Sequence, residues 1–253
     1  MIEKIKKNAV RSVFSVKDRI LVTPHYIRVI FDMSAEQVEM FRNSRVGGHN
    51  KLFIPQNGPF PAVARTYTTR RIDAENKELW VDFVAHGDNG PASYWANRAT
   101  KGDTLEIAMK DGDKPLYPVR KNYLFVGDST AIPVISVMLE QLPANTTAKV
   151  IIEIYNSEDE MPLLSKAKTI IQWINNPEPE NSSRLADIVR KEALQIKYDF
   201  IFVAAEYDAV RELKNYFRED MGFLPHEYSV VSYWKKGATE EQSSLDRRQQ
   251  RIG

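Results

Sequence analysis

The 253-residue chain contains no cysteine. Thiolate nucleophiles, disulfides, Cys-ligated zinc and Cys-ligated iron–sulfur clusters are therefore excluded as properties of this chain, and any electron chemistry needs a bound cofactor. An excess of either charge is also lacking, since 35 basic residues face 34 acidic ones and the net charge is +1. Without a chain-wide field, nucleic acid and anionic membrane are not expected partners. No apolar run approaches the roughly 18 residues of a membrane span, and the start MIEKIKKNAV has no apolar signal-peptide segment. These absences make a cytoplasmic location the expectation. The four histidines show no metal-ligand spacing, and there is no internal repeat or long low-complexity tract. What is present is 43% apolar residues, ample for a buried core without covalent staples.

The apolar residues change rhythm once along the chain. Segments 10–16, 25–31, 51–54, 65–72, 79–85 and 104–108 have period-two or β-branched character, which predicts a six-stranded antiparallel barrel. Turn-forming residues collect at 55–61 and 110–118, and the second stretch marks the expected domain boundary. Beyond it, short apolar runs at 123–126, 149–155, 169–174, 198–204 and 228–233 alternate with helical patterns near 131–142, 184–194 and 208–221. That alternation predicts a five-stranded parallel α/β domain. The expected layout is a barrel at 1–115, an α/β domain at 120–237 and a polar helix or tail at 238–253.

Four segments carry side chains suited to chemistry. In Arg65-Thr66-Tyr67-Thr68-Thr69-Arg70-Arg71, strand alternation puts Arg65, Tyr67 and Thr69 on one face and Thr68 and Arg70 on the other. An aromatic plane, hydroxyls and guanidinium groups together suit a planar ring system carrying phosphates. The plainer reading is a polar strand with surface ion pairs. In the stretch from His86 to Trp95, Gly90 permits close approach and Pro91 suits a first helical turn. The N–H groups of Ala92 and Ser93 would then face an anion, or the segment is a simple helix start capped by Asp88 or Asn89. The run from Tyr123 to Pro133 is a strand ending in Gly127-Asp128 before a helix, where Asp128 and Thr130 either meet a ligand or cap the helix. No G-x-G-x-x-G is present. Glu206 ends a later strand in the same way. Finally, Tyr233-Trp234-Lys235-Lys236-Gly237 offers either core aromatics with surface lysines or aromatics flanking a ring beside an anionic substrate.

Taken in order, these segments resemble the siderophore-interacting proteins, flavin-dependent ferric siderophore reductases built like ferredoxin reductases. The resemblance rests on R-T-Y-T-T-R at 65–70, H-G-D-N-G-P-A-S-Y-W at 86–95, G-D-S-T-A-I-P at 127–133 and Y-W-K-K-G at 233–237, and spans nearly the whole chain. It implies an FAD held in a cleft between barrel and α/β domain. Within the family pattern Arg65, Tyr67, Thr68 and Thr69 match the flavin-holding strand, with Tyr67 near the isoalloxazine. His86, Asp88, Gly90, Ala92 and Ser93 match the segment meeting flavin and pyrophosphate. Asp128, Thr130 and Ala131 match the mouth of the second domain, and Glu206 and Trp234 join them as expected cofactor contacts.

In such a protein the flavin takes electrons in a pair and passes them on singly, so no protein nucleophile or resident metal is expected. The substrate is a ferric siderophore. Many such chelates are anionic, which makes Lys51, Lys235 and Lys236 the expected substrate contacts, with Arg247 and Arg251 as further candidates. Electrons are expected from NADPH or NADH, or from a reduced ferredoxin as partner, and the chain is expected to act as a monomer. Two departures bear on the donor: Ala205 stands where relatives usually carry glycine, and Ser129 where many carry glutamate. The extra methyl at Ala205 is expected to crowd a nicotinamide. A general NAD(P)H:flavin or ferredoxin-type oxidoreductase and a non-catalytic ferric siderophore-binding protein are the alternative readings.

Overall fold

The computed structural model describes residues 9–56, 60–85, 90–112, 114–179, 181–193 and 197–238. The chain divides into two compact units, Met1–Leu116 and Tyr117–Gly253.

The first unit is a closed six-stranded antiparallel barrel of β1 (Val10–Thr23), β2 (Tyr26–Asp32), β3 (His49–Ile54), β4 (Val63–Asp73), β5 (Glu78–Val84) and β6 (Thr104–Met109), in the order β1-β2-β5-β4-β3-β6. Alternate residues fill the interior: Phe14 and Val16, Ile27 and Val29, Leu52 and Ile54, Leu79, Val81 and Phe83, Leu105 and Ile107 are all essentially buried. The first strand runs past its expected end at residue 16 to Thr23. Its first half pairs with β6 and its second half with β2, and irregularities between Val16 and Asp18 and between Leu21 and Thr23 let it turn the barrel corner. The exposed, charged stretch after Val16 hid this continuation, because nothing there alternates in hydropathy.

Two short helices close the barrel. One of them, α1 (Ala35–Met40), was not evident from hydropathy and is held by a capping box in which Ser34 Oγ accepts from Gln37 N at 3.1 Å and Gln37 Oε1 accepts from Ser34 N at 2.8 Å. The other, α2 (Pro91–Arg98), buries Ala92 and Ala96 and lays Trp95 parallel to Phe31, with centroids 6.2 Å apart, and 5.9 Å from Phe83. Each such ring pair adds about 1 kcal/mol beyond the area it buries.

The second unit is a parallel sheet in the order β11-β10-β7-β8-β9, built from β7 (Asn122–Asp128), β8 (Thr147–Ile154), β9 (Lys168–Asn175), β10 (Phe200–Glu206) and β11 (Tyr228–Trp234). The central strands β7 and β10 are apolar on both faces and almost wholly buried. Crossover helices α3 (Ile132–Gln141), α4 (Leu185–Ala193) and α5 (Tyr207–Asn215) pack on the sheet. The apolar stripe of α5 continues through Val210, Leu213, Tyr216 and Phe217, all buried, although the final turn at Tyr216–Asp220 widens to π geometry. Gly127 is required near the end of β7, where a Cβ would lie 2.5 Å from the Ala131 methyl and 2.9 Å from the Ala204 carbonyl oxygen. Strand order reverses between β7 and β10, so their carboxyl ends form the sheet's topological switch point.

Candidate functional site

In the barrel, β4 pairs with β3 so that Arg65 faces Leu52 and Tyr67 faces Asn50. Leu52 and Asn50 point inward and are buried, so Arg65, Tyr67 and Thr69 share the inner face, as alternation predicts. The Tyr67 ring packs 4.6 Å from Phe83, and half-buried Arg65 donates through Nη1 to the Ala64 carbonyl at 2.9 Å. Thr69 is fixed on all sides: Asn50 Nδ2 donates to its Oγ1 at 3.1 Å, its amide donates to Gly48 O at 2.8 Å, and its carbonyl accepts from Gly47 N at 2.7 Å. Gly47 makes this turn at φ +79, in the left-handed region that favours glycine. Thr68 lies on the outer face yet is buried. Thr68, Thr69 and Asp73 of this strand are buried, while Arg70 and Arg71 make ion pairs with Asp82 and Asp73.

After Thr69 the β4–β5 register slips, leaving Arg70 as the extra residue of a bulge. Its Nε lies 3.7 Å from Asp82 Oδ2. The Asp82 carboxylate is fully buried and also takes Arg28 Nε at 2.7 Å, Arg28 Nη2 at 2.8 Å and the Tyr26 hydroxyl at 2.8 Å. Burial, and then the nearby Asp82 charge, push the Tyr26 phenol well up, so it donates at all ordinary pH.

The N-terminus of α2 supplies a complementary element. Its N-cap is Gly90, in an extended conformation at φ −131, no side chain among the described residues caps the turn, and Pro91 opens the helix. Ala92 and Ser93 are buried at 5% and 4% exposure, while a Cβ built on Gly90 would meet nothing within 4 Å. The N-terminus of a helix favours an anion such as a pyrophosphate. His86 and Asp88 fall outside the described residues, as do Arg247 and Arg251.

At the carboxyl edge of the parallel sheet, Asp128 gathers three strand ends. Its Oδ1 accepts from Thr130 N at 2.9 Å and Thr130 Oγ1 at 2.5 Å, and its Oδ2 accepts from Glu206 N at 2.9 Å and Trp234 Nε1 at 2.7 Å. Burial raises the Asp128 carboxyl above its usual range, against the pull of these donors. Glu206 caps α5, its Oε2 accepting from Asp208 N at 2.5 Å and Ala209 N at 3.4 Å, while Oε1 accepts from Lys236 N at 3.2 Å. Thus Asp128, Thr130, Glu206 and Trp234 come together, and Ala131 is buried beside them against Gly127. Ser129 directs its hydroxyl to the Glu153 carbonyl at 3.4 Å.

The Ala205 expectation needs correcting. Its methyl is fully buried in the core shared with Val203, Val210 and Leu213, so it is turned away from any ligand at the sheet edge. Strand alternation aims side chain 205 beneath α5.

Of the expected substrate lysines, Lys51 is exposed on β3 in the first unit, opposite Thr66. Lys236 is exposed just after β11 in the second unit, and Lys235 holds its ammonium 4.8 Å over the Tyr207 ring. Hydropathy and motif spacing missed Asp82, Asn50 and Glu153. A lone acid inside an apolar strand, as in Leu-Trp-Val-Asp-Phe or Val-Ile-Ile-Glu-Ile, is the signal that marks two of them. Among the described residues no cluster of three or more His, Asp or Glu could hold a metal, and no helix is long and apolar enough to cross a membrane.

A closed antiparallel barrel followed by a parallel sheet, with an anion-ready helix start in the barrel, defines a protein of the ferredoxin-reductase-like fold. The chain superposes on the ferredoxin–NADP+ reductase of Neisseria gonorrhoeae with bound FAD and NADP at TM-score 0.66, covering 89% of this chain and all of that one at 15% identity. More specifically, the chain belongs to the siderophore-interacting protein family: residues 59–113 match the siderophore-interacting FAD-binding domain and residues 120–237 the siderophore-interacting protein domain. It is 28% identical to the ferric vibriobactin reductase ViuB of Vibrio cholerae over 76% of this chain and 70% of that one. The siderophore-interacting protein SipS of Aeromonas hydrophila superposes at TM-score 0.82 with 26% identity, over 97% and 99% of the two chains. FAD is the cofactor, and the FAD-binding match takes in both the Arg65–Thr69 strand and the start of α2.

Proposed function

We propose that this protein is an FAD-dependent ferric siderophore reductase that frees chelated iron by reducing it. The observation that carries the reading is the pairing, in one barrel, of the Tyr67-Thr68-Thr69 strand with the α2 start at Gly90 and Pro91. In this reading Arg65 and the Ala92 and Ser93 amides hold the pyrophosphate, and Tyr67 and Thr68 orient the ring system. Bound FAD supplies a carrier that accepts two electrons and delivers them one at a time, so one reduced flavin serves two ferric ions. Siderophore oxygen donors are hard ligands that favour iron(III), so reduction loosens the chelate.

Lys51, Lys235 and Lys236 are proposed to attract and orient an anionic chelate. A reduced pyridine nucleotide is the proposed donor, with reduced ferredoxin the alternative, in a cytoplasmic, monomeric protein. The test begins with colour. Purified protein is expected to be yellow and to release FAD on denaturation, and Arg65→Ala to weaken FAD retention by about tenfold or more; a colourless protein, or unchanged occupancy in the variant, contradicts the assignment. Charge reversal at the three lysines is expected to raise KM for an anionic ferric chelate at low ionic strength, the gap closing as salt is added. Identical kinetics at all salt concentrations would remove the lysines from the substrate site.

A further inference from the structure

Helix α2 carries two aromatic residues side by side, and they face opposite ways. Trp95 is turned into the barrel against Phe31 and Phe83, which pins the helix. Tyr94, one residue earlier and so about 100° around the axis, is turned outward and is 39% exposed. It belongs to an exposed stripe of Pro91, Tyr94 and Arg98 at i, i+3 and i+7, whereas Ala92, Ser93 and Ala96 are buried. A single exposed ring is ordinary on a protein surface. This one is held: the Arg98 guanidinium carbon lies 3.8 Å from its centroid, and Arg98 Nη1 donates to the Tyr94 carbonyl at 3.4 Å. Because helical side chains lean toward the N-terminus, Arg98 reaches back over Tyr94, and Tyr94 in turn reaches back over the turn that begins at Gly90 and Pro91.

That direction brings the ring toward the amides of Ala92 and Ser93, which are the proposed pyrophosphate contacts. Both Tyr94 and Arg98 lie within the FAD-binding match. In a dinucleotide the base sits one ribose away from the phosphates, and a purine is best met by a flat aromatic surface. Tyr94 offers one only three residues, about 4.5 Å of helix rise, beyond Pro91. We propose that Tyr94, backed by Arg98, is the platform on which the adenine of FAD stacks. Tyr94 is then the residue by which the barrel prefers FAD to a flavin without the adenylate half, and Arg98 is its positioning residue. The inference rests on the reductase reading above and deepens its cofactor site. A ring already held by a guanidinium loses little freedom when a base settles on it, so more of the stacking attraction is kept as affinity.

The experiment uses the full-length chain freed of flavin and titrated with FAD, with FMN, and with ADP in competition with FAD. Tyr94→Ala removes the ring, Tyr94→Phe keeps it, and Arg98→Met removes the guanidinium. Truncating an aromatic side chain that stacks on a base corresponds to about a tenfold to hundredfold loss of affinity. Tyr94→Ala is therefore expected to bind FAD and ADP about tenfold or more weakly and FMN as the wild type does. Tyr94→Phe is expected to stay within about threefold of the wild type for all three. Arg98→Met is expected to weaken FAD and ADP by a smaller factor and to spare FMN, a split that a structural role alone would not produce. Unchanged FAD affinity in Tyr94→Ala, or an equal loss of FAD and FMN, overturns the proposal. A loss in Tyr94→Phe as large as in Tyr94→Ala also overturns it, since the hydroxyl rather than the ring would then be the contact. Failure of the reductase reading shows up separately, as dithionite-reduced wild-type protein that passes no electrons to a ferric chelate.

Discussion

Both units bury acids, but they treat them oppositely. In the barrel, Asp82 is met by the Arg28 fork and a tyrosine hydroxyl, and Asp73 by Arg71 Nη2 at 2.5 Å and by Asn76 N and Nδ2 at 2.9 and 3.1 Å. The Asn76 bonds, and then Arg71, hold the Asp73 carboxyl down at about 2. In the parallel sheet, Asp128 and Glu153 receive backbone, hydroxyl and indole donors, Arg184 N reaching Glu153 Oε1 at 2.6 Å. There burial outweighs the donors and both carboxyls are raised. The barrel thus fixes its frame with full charges, whereas the sheet organises its carboxyl edge with dipoles around acids whose carboxyls burial raises. Paired full charges make a rigid frame, whereas hydrogen bonds from neutral donors can be exchanged.

Removing one acid from each unit should affect them unequally. Asp82→Ala would remove the buried carboxylate shared by the Arg28 and Arg70 guanidiniums, whose side chains are 19% and 12% exposed. The expected loss is about 3 kcal/mol, seen in denaturant unfolding of the barrel; a loss below 1 kcal/mol would show that solvent replaces the carboxylate there. A smaller effect is expected in the sheet from Gly127→Ala, where the new methyl meets Ala131 and the Ala204 carbonyl. Overpacking of that kind costs about 1–3 kcal/mol and should leave barrel unfolding unchanged.

The smallest effect is a divergence with pH. Asp73 contributes stability that is present above its unfolded value of 3.8 and is lost as pH falls toward about 2. Asp128 and Glu153 have the opposite sign: their contribution is present below their unfolded values and is lost as pH rises through their raised native ones. Acidification is therefore expected to weaken the barrel and relieve the sheet. The chain carries Trp80 and Trp95 in the first unit and Trp173 and Trp234 in the second. Variants retaining one pair at a time would report the two transitions by fluorescence, and parallel pH profiles would contradict the distinction.

Much of the fold was legible because both halves obey a simple period. The alternation around Ile27, Val29 and Phe31, or Leu79, Val81 and Phe83, requires a face turned inward, and Val210, Leu213, Tyr216 and Phe217 a helical stripe. What hydropathy does not encode is register. The slips that leave Arg70 and Tyr233 as extra residues depend on how neighbouring strands pair, and those slips put Arg70 beside Asp82 and Trp234 on Asp128. Motif order singled out the Arg65–Thr69 strand and the helix start, both within the FAD-binding match, but it read Asp128, Glu206 and Trp234 as separate contacts. Their union depends on three strands far apart in sequence ending side by side.

Electrons from the reduced flavin are proposed to pass directly to chelated iron. Protein reduced with dithionite under anaerobic conditions and mixed with a ferric siderophore is expected to regain the oxidised FAD spectrum while a ferrous-specific chelator traps two iron(II) per flavin. A flavin that stays reduced, with no iron(II) trapped across both hydroxamate and catecholate siderophores, would contradict it.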